Sequence, residues 1–253
     1  MISLKYLTAA TTLAIGALSF SAADAASVKN IVLVHGAFAD ASTFRSLTEI
    51  LVKDGYHVSL VQEPITSLED DVAATNRVLE LQTGPVLLVS HSYGGMVITE
   101  AGNAANVAGL VYVASFQPDA GENLVGLSAK MPVASKAIGP TKDGKYLFID
   151  PKAFPEDFAG DRPKAEAQFL ANAQVMGSVA AFTAKVTDPA WKAKKSWAIV
   201  ATEDRSINPD LERFMAKRAG SEVTEIKASH MVFESQAKKV AAVIEKAAKA
   251  LSN

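Results

Sequence analysis

Four stretches of the chain are apolar almost end to end: Asn30 to His35 (NIVLVH), Pro85 to Ser90 (PVLLVS), Val107 to Ser115 (VAGLVYVAS) and Ser196 to Thr202 (SWAIVAT). They are short and rich in β-branched residues, so they read as strands. A strand with no polar side must be covered on both faces. Two further strands are expected at Tyr56 to Gln62 and Glu222 to Lys227. Helical patterns fall between them. In Ala41 to Asp54, Phe44, Leu47, Ile50 and Leu51 share a face, and Gly55 follows as a stop. Ser67 is placed to cap a helix running to about Gln82, with Glu69, Asp70 and Asp71 acidic in its first turn. Helices are also expected at Tyr93 to about Ala104, Pro209 to Gly220 and Ser235 to Leu251. Strands alternating with helices at short spacing predict right-handed crossovers and an α/β fold on a mostly parallel sheet of about six strands.

The alternation stops between about Asp119 and Trp191. That stretch holds much of the chain's proline, scattered aromatics and no clear apolar strand run. It reads as a mostly helical insertion capping the sheet edge. Phe148, Phe154, Phe158, Phe169, Met176, Phe182 and Trp191 are its candidate pocket-lining residues, at least half of which should only hold the cap to the sheet.

Composition removes several classes of function. The formal net charge is −2 and no cluster of Lys or Arg is present, so there is no footprint for nucleic acid. Lysines after residue 184 are interleaved with Ala, Glu and Trp and read as solvated helix surface. There are no cysteines, which excludes disulfides, thiolate metal sites and cysteine nucleophiles. The four histidines, His35, His57, His91 and His230, include no pair three or four residues apart, so a helical zinc site is absent and neither metal nor cofactor is expected.

The first residues look like a targeting segment. Lys5 precedes an uncharged run from Leu7 to Phe20, and Ala23-Asp24-Ala25 offers a small-x-small cleavage site. The run is short for a membrane span of ~20 residues, so a cleaved signal peptide over 1–25 is favoured over an anchor helix. The mature domain, 26–253, would then be exported, periplasmic or secreted, with no membrane attachment. Nothing in the sequence sets an oligomeric state.

Ser90-His91-Ser92-Tyr93-Gly94-Gly95 lies between an apolar strand and a helix. It is a small-x-nucleophile-x-small turn, with serine where the common version has glycine. The sharp turn demands small neighbours, lifts the Ser92 hydroxyl above the sheet and sets a helix N-terminus beside the reacting oxygen. After the first strand comes His35-Gly36-Ala37-Phe38, where glycine permits close backbone approach. The Ala37 and Tyr93 N–H groups are the expected oxyanion donors. His35 is read as a buried structural histidine, and Phe38 as a pocket wall with Phe182 and Trp191. An acid is needed at a strand's C-terminal end. Asp204 is the first choice, with Glu203 and Asp119 as rivals. Ser229-His230-Met231 follows the last strand and supplies the base, in the chain order Ser, Asp, His expected of such a fold.

IVLVHGAF, SHSYGG, ATEDR and ASH, in this order and spacing, resemble the α/β-hydrolase superfamily, over about Asn30 to Leu251. The chain is similar to the small branch of methyl esterases, hydroxynitrile lyases and their bacterial relatives. The resemblance implies a compact α/β-hydrolase fold with a cap at about 119–191, and a Ser92–His230–Asp204 triad cleaving a small-molecule carboxylic ester. The usual first two strands are missing. The lyases of this group pair a threonine in the first-strand loop with a lysine beside the catalytic histidine; here Gly36 and Met231 stand at those places, which argues for hydrolysis. Two other readings stay open: a binding or sensing protein on the same scaffold, and a lyase or perhydrolase on the same site.

Overall fold

A computed structural model describes residues 27–133 and 135–252. The signal-peptide expectation falls on residues outside this range. The six main strands are β1 (Asn30–Val34), β2 (His57–Val61), β3 (Val86–Ser92), β4 (Val107–Ser115), and two more, numbered β8 (Lys195–Ala201) and β9 (Glu222–Ile226) because three short strands of the insertion precede them. They form one parallel sheet in the order β2-β1-β3-β4-β8-β9. The most apolar runs, β1, β3 and β4, occupy its middle, where nearly every side chain is buried. Each fully buried Val, Leu or Ile contributes about 1.5–3 kcal/mol.

Helices α1 (Arg45–Lys53), α2 (Leu68–Glu80), α3 (Gly94–Ala101), α8 (Pro209–Ala219), α9 (Val232–Ser235) and α10 (Ala237–Ala250) cover the two faces, the numbers between being those of the insertion. The expected Ser67 cap forms, and Asn208 caps α8. Ser67 Oγ accepts the Asp70 N–H at 3.0 Å and Asn208 Oδ1 the Asp210 N–H at 2.9 Å. The first helix opens with a 3₁₀ turn at Ala41–Phe44, and the last, α10, runs close to its expected span with the short α9 ahead of it.

The insertion is less helical than its composition suggests. It contains α4 (Leu124–Lys130), α5 (Phe154–Asp157), α6 (Lys164–Ala173) and α7 (Val179–Thr183), but also an antiparallel sheet of β5 (Ile138–Pro140), β6 (Tyr146–Ile149) and β7 (Gly177–Ser178). These strands are two to four residues long, too short to show an alternating pattern.

Main-chain bonds join this cap to the sheet edge. The Phe38 N–H donates to the Val175 carbonyl at 2.9 Å and the Ser178 N–H to the Ile65 carbonyl at 3.0 Å. At its base, the Gly121 N–H donates to Val186 O and the Val186 N–H to Glu122 O.

Candidate active site

The order β2-β1-β3 reverses direction at β1, so the loops after β1 and β3 diverge and leave a crevice at the strands' C-terminal ends. Ser92 ends β3 with φ 52°, a left-handed conformation that costs a non-glycine residue about 1–3 kcal/mol. The neighbours explain how it is held. A Cβ at Gly95 would fall 1.9 Å from the Phe116 carbonyl oxygen, and one at Gly94 2.6 Å from that of His35. Ser90 fits where glycine is usual because its hydroxyl meets Ser115 Oγ at 3.0 Å, and Ser115 Oγ donates onward to Ser92 O at 2.8 Å.

Asp204 follows β8 and His230 follows β9. His230 Nδ1 lies 2.6 Å from Asp204 Oδ2, with both side chains fully buried. A carboxylate only accepts, so Nδ1 carries a proton, which in a neutral ring leaves the lone pair on Nε2. Nε2 is buried and has no hydrogen-bond partner. Asp204 Oδ1 accepts the Ser206 and Ile207 N–H groups at 2.7 and 2.9 Å. The two rival acids lie elsewhere: Glu203 pairs with Lys227 and Asp119 with Lys192.

Several groups fix the His230 loop. The His91 Nε2–H donates to His230 O at 3.0 Å, and the two rings lie 4.5 Å apart. Burial, and then His230, push the His91 pKa well down, so it stays neutral. Asp161 accepts from the Ser229 N–H, the Ser229 hydroxyl and the Ser235 hydroxyl. Burial opposes the charged form of Asp161, but these hydrogen bonds outweigh it and hold its carboxyl below the usual range.

His35 takes the structural part expected of it. Its Nε2 accepts the Glu63 N–H at 3.0 Å, so Nδ1 carries the proton and donates to Gly36 O at 2.8 Å. Behind the nucleophile turn, the Tyr93 hydroxyl donates to Asp71 Oδ2 at 2.6 Å, and Asp71 Oδ1 accepts the Ile65 N–H at 2.8 Å. Glu63 is buried beside Asp71, its carboxyl oxygens without partners; burial, then the Asp71 charge, push its pKa well up.

Ala37, Phe38, Ser92, Tyr93, Phe182 and His230 all border one cavity of about 210 Å³, completed by Phe116, Ser206 and Ile207 and by cap residues that include Phe158 and Ser128. Phe158 stands edge-on to His230 at 4.8 Å and to Phe38 at 6.4 Å. Trp191, expected in this wall, is not there. Its indole N–H donates to Pro118 O at 2.7 Å, which turns the ring to the base of the cap beside Lys192 and Arg218. Phe169 and Met176 are exposed, and Phe154 packs behind Phe158 at 4.7 Å. Among the described residues no cluster of three or more His, Cys, Asp or Glu could hold a metal, and no helix is long and apolar enough to cross a membrane.

A family model described as the alpha/beta hydrolase family matches residues 31–243. The chain belongs to that family. This hydrolase is 32% identical over 132 residues to the carbendazim hydrolyzing esterase of Nocardioides sp. (strain SG-4G), a match covering 47% of the chain and 52% of the relative. The chain thus matches about half the length of that curated relative. Among solved structures it is similar to a pyrethroid hydrolase from Sphingobium faniae JZ-2 (TM-score 0.73, 21% identity, 87% of this chain and 97% of the other). It is also similar to polyneuridine aldehyde esterase (TM-score 0.74, 21% identity, 87% and 99%). At that identity the two structures speak for the shared fold.

The sequence reading did not pick out Glu63 or Asp161, and it named Asp71 only as an acid in a helix's first turn and His91 only as part of the turn. Only His91, flanking Ser92, carried a local signal.

Proposed function

We propose that this hydrolase cleaves small, neutral carboxylic esters through an acyl-enzyme on Ser92. The observation that carries this reading is the His230 ring: Nδ1 held by Asp204, and Nε2 buried, unpartnered and bordering the same cavity as Ser92. His230 Nε2 takes the hydroxyl proton as Ser92 Oγ attacks the ester carbonyl. Asp204 stabilises the imidazolium that results. The Ala37 and Tyr93 N–H groups receive the oxyanion, each donor worth about 3–4 kcal/mol. The imidazolium protonates the departing alcohol. Water deprotonated by His230 then attacks the acyl group and frees Ser92.

The cavity favours a neutral substrate of modest size, because its walls are largely apolar and no Lys, Arg, Asp or Glu borders it. The esterase and hydrolase names of the relatives support the same reaction class. Gly36 weighs against lyase chemistry: a Cβ there would sit 2.6 Å from Ser92 Cβ, so a threonine has no room. Export follows from the N-terminal sequence as a second proposal, checked by sequencing the N-terminus of the protein recovered outside the cytoplasm.

The deciding experiment is p-nitrophenyl acetate turnover by the chain from Ser27, alongside Ser92→Ala and a fluorophosphonate label. Turnover lost in the variant, with the label on Ser92, is the expected result. No turnover and no labelling would overturn the esterase reading in favour of a binding protein on this scaffold.

A further inference from the structure

Glu212 is the one acidic residue on the buried face of α8, beside Leu211, Met215 and Ala216. It is 4% exposed, and both carboxyl oxygens are buried without a hydrogen-bond partner. Asp204 sits just ahead of the same helix, its Oδ1 bound to the Ser206 and Ile207 N–H groups, and the two carboxyl groups interact directly. Two carboxylates this close and this dry cannot both be ionised. The competition for the negative charge is uneven. Asp204 accepts from two backbone N–H groups and from His230, at 2.6–2.9 Å. Glu212 has only the Ala201 N–H nearby, which favours its anion without making a well-formed bond. The charge belongs on Asp204 and the proton on Glu212. Once protonated, Glu212 is no longer an orphaned pair of acceptors but a donor, with Asp204 as its acceptor.

We propose that Glu212 is a positioning residue for the triad: as a neutral carboxylic acid it donates a hydrogen bond to Asp204 and so fixes the carboxylate that holds His230. This rests on the reading of Ser92, His230 and Asp204 as the catalytic set. Burial, then the Asp204 charge, push the Glu212 pKa well up, in agreement with the geometry. Arg213 opposes that shift, but it is turned to solvent and engaged by Asp210 and Glu225. The charged residues of the elements packed on α8 are all exposed: Lys195 on β8, Glu222 and Glu225 on β9, and Lys130 on α4. Asp204 is therefore the charge that governs Glu212. If Glu212 ionises at alkaline pH, two like charges meet and Asp204 is pushed off His230.

The test has an arm that needs no turnover. In the Ser92→Ala protein near neutral pH, the infrared difference spectrum against the same protein carrying Glu212→Gln should show a neutral-carboxyl C=O stretch, since the Glu63 contribution is common to both and cancels. The low-field proton resonance of His230 Nδ1–H should persist with Gln and shift or broaden with Glu212→Leu. Absence of the carboxyl band, or a resonance unmoved by Leu, overturns the proposal. In the turnover arm, Glu212→Leu should lower kcat about tenfold with KM little changed, the scale of one hydrogen bond to a charged group. Glu212→Gln should recover most of that loss and remove the alkaline fall in kcat. Equal loss in both variants overturns it, and thermal melting separates misfolding from mispositioning. If the unaltered protein hydrolyses no ester, the proposed function fails while the spectra still decide the state of Glu212.

Discussion

Two pairs of buried acids flank the cavity, one on each side of Ser92, and they serve different ends. On the β9 side, Asp204 and Glu212 stand behind His230. On the β1 side, Asp71 and Glu63 stand behind Tyr93. In each pair one acid is well supplied with donors and the other makes no well-formed hydrogen bond. The difference lies in what the supplied acid holds. Asp204 touches the imidazole itself, so in the proposed mechanism its charge acts on a reacting group. Asp71 holds a phenol hydroxyl at the far end of the Tyr93 side chain, while the Tyr93 backbone N–H is the proposed oxyanion donor. Burying an acid therefore does not by itself mark a catalytic role; the group at the other end of its hydrogen bond does.

The largest test of this contrast is Asp204→Asn. It allows the wrong tautomer of His230, and kcat for ester turnover should fall about 10⁴-fold with the fold intact by circular dichroism. Asp71→Ala should do the reverse. It strands the Tyr93 hydroxyl and the Ile65 N–H, so denaturant unfolding should show a loss of about 3 kcal/mol, while kcat falls far less than for Asp204→Asn. A kcat loss near that of Asp204→Asn would break the comparison. Tyr93→Phe removes one donor from Asp71 and should cost about 1–2 kcal/mol by the same measurement, with the oxyanion amide kept.

The smallest effect at acidic pH is expected for Glu63→Gln. The folded pKa of Glu63 is raised by burial and Asp71 above the ordinary 4.5, so the folded chain keeps a proton that the unfolded chain releases. Stability linked to Glu63 is complete below pH 4.5 and declines as pH rises toward the raised value. Glutamine has no such decline. The melting temperature of the variant should gain on that of the unaltered protein as pH rises above 4.5. A gap that does not grow with pH would show Glu63 to be ionised in the fold.

These acids also mark where the sequence stops being readable. Asp71 and Glu212 both lie in the first turn of a helix, where acidic residues are expected because they complement the helix dipole. That ordinary reason conceals a side chain turned inward, and only the packing of α2 and α8 against the sheet reveals it. The strands were legible for the opposite reason. VLLVS and VAGLVYVAS admit one environment, and a sheet buried on both faces is that environment. The turn around Ser92 was legible because its steric demands fall on adjacent residues. The cap was less so. Its strands are too short to carry a period, and the place of Trp191 depends on a single bond to Pro118 O across 73 residues of chain.

The main-chain bonds between cap and sheet edge bear on how such a hydrolase can change its diet. Phe38 to Val175 and Ser178 to Ile65 are joined by amide and carbonyl, which every residue except proline can supply in full. These attachments, and the side-chain bonds of Asp161 to Ser229 and Ser235, are thereby made by atoms other than those that line the cavity. The side chains over Ser92 can drift or be randomised in a library while the roof stays fastened, so new substrates are reachable by single codon changes that leave the frame untouched.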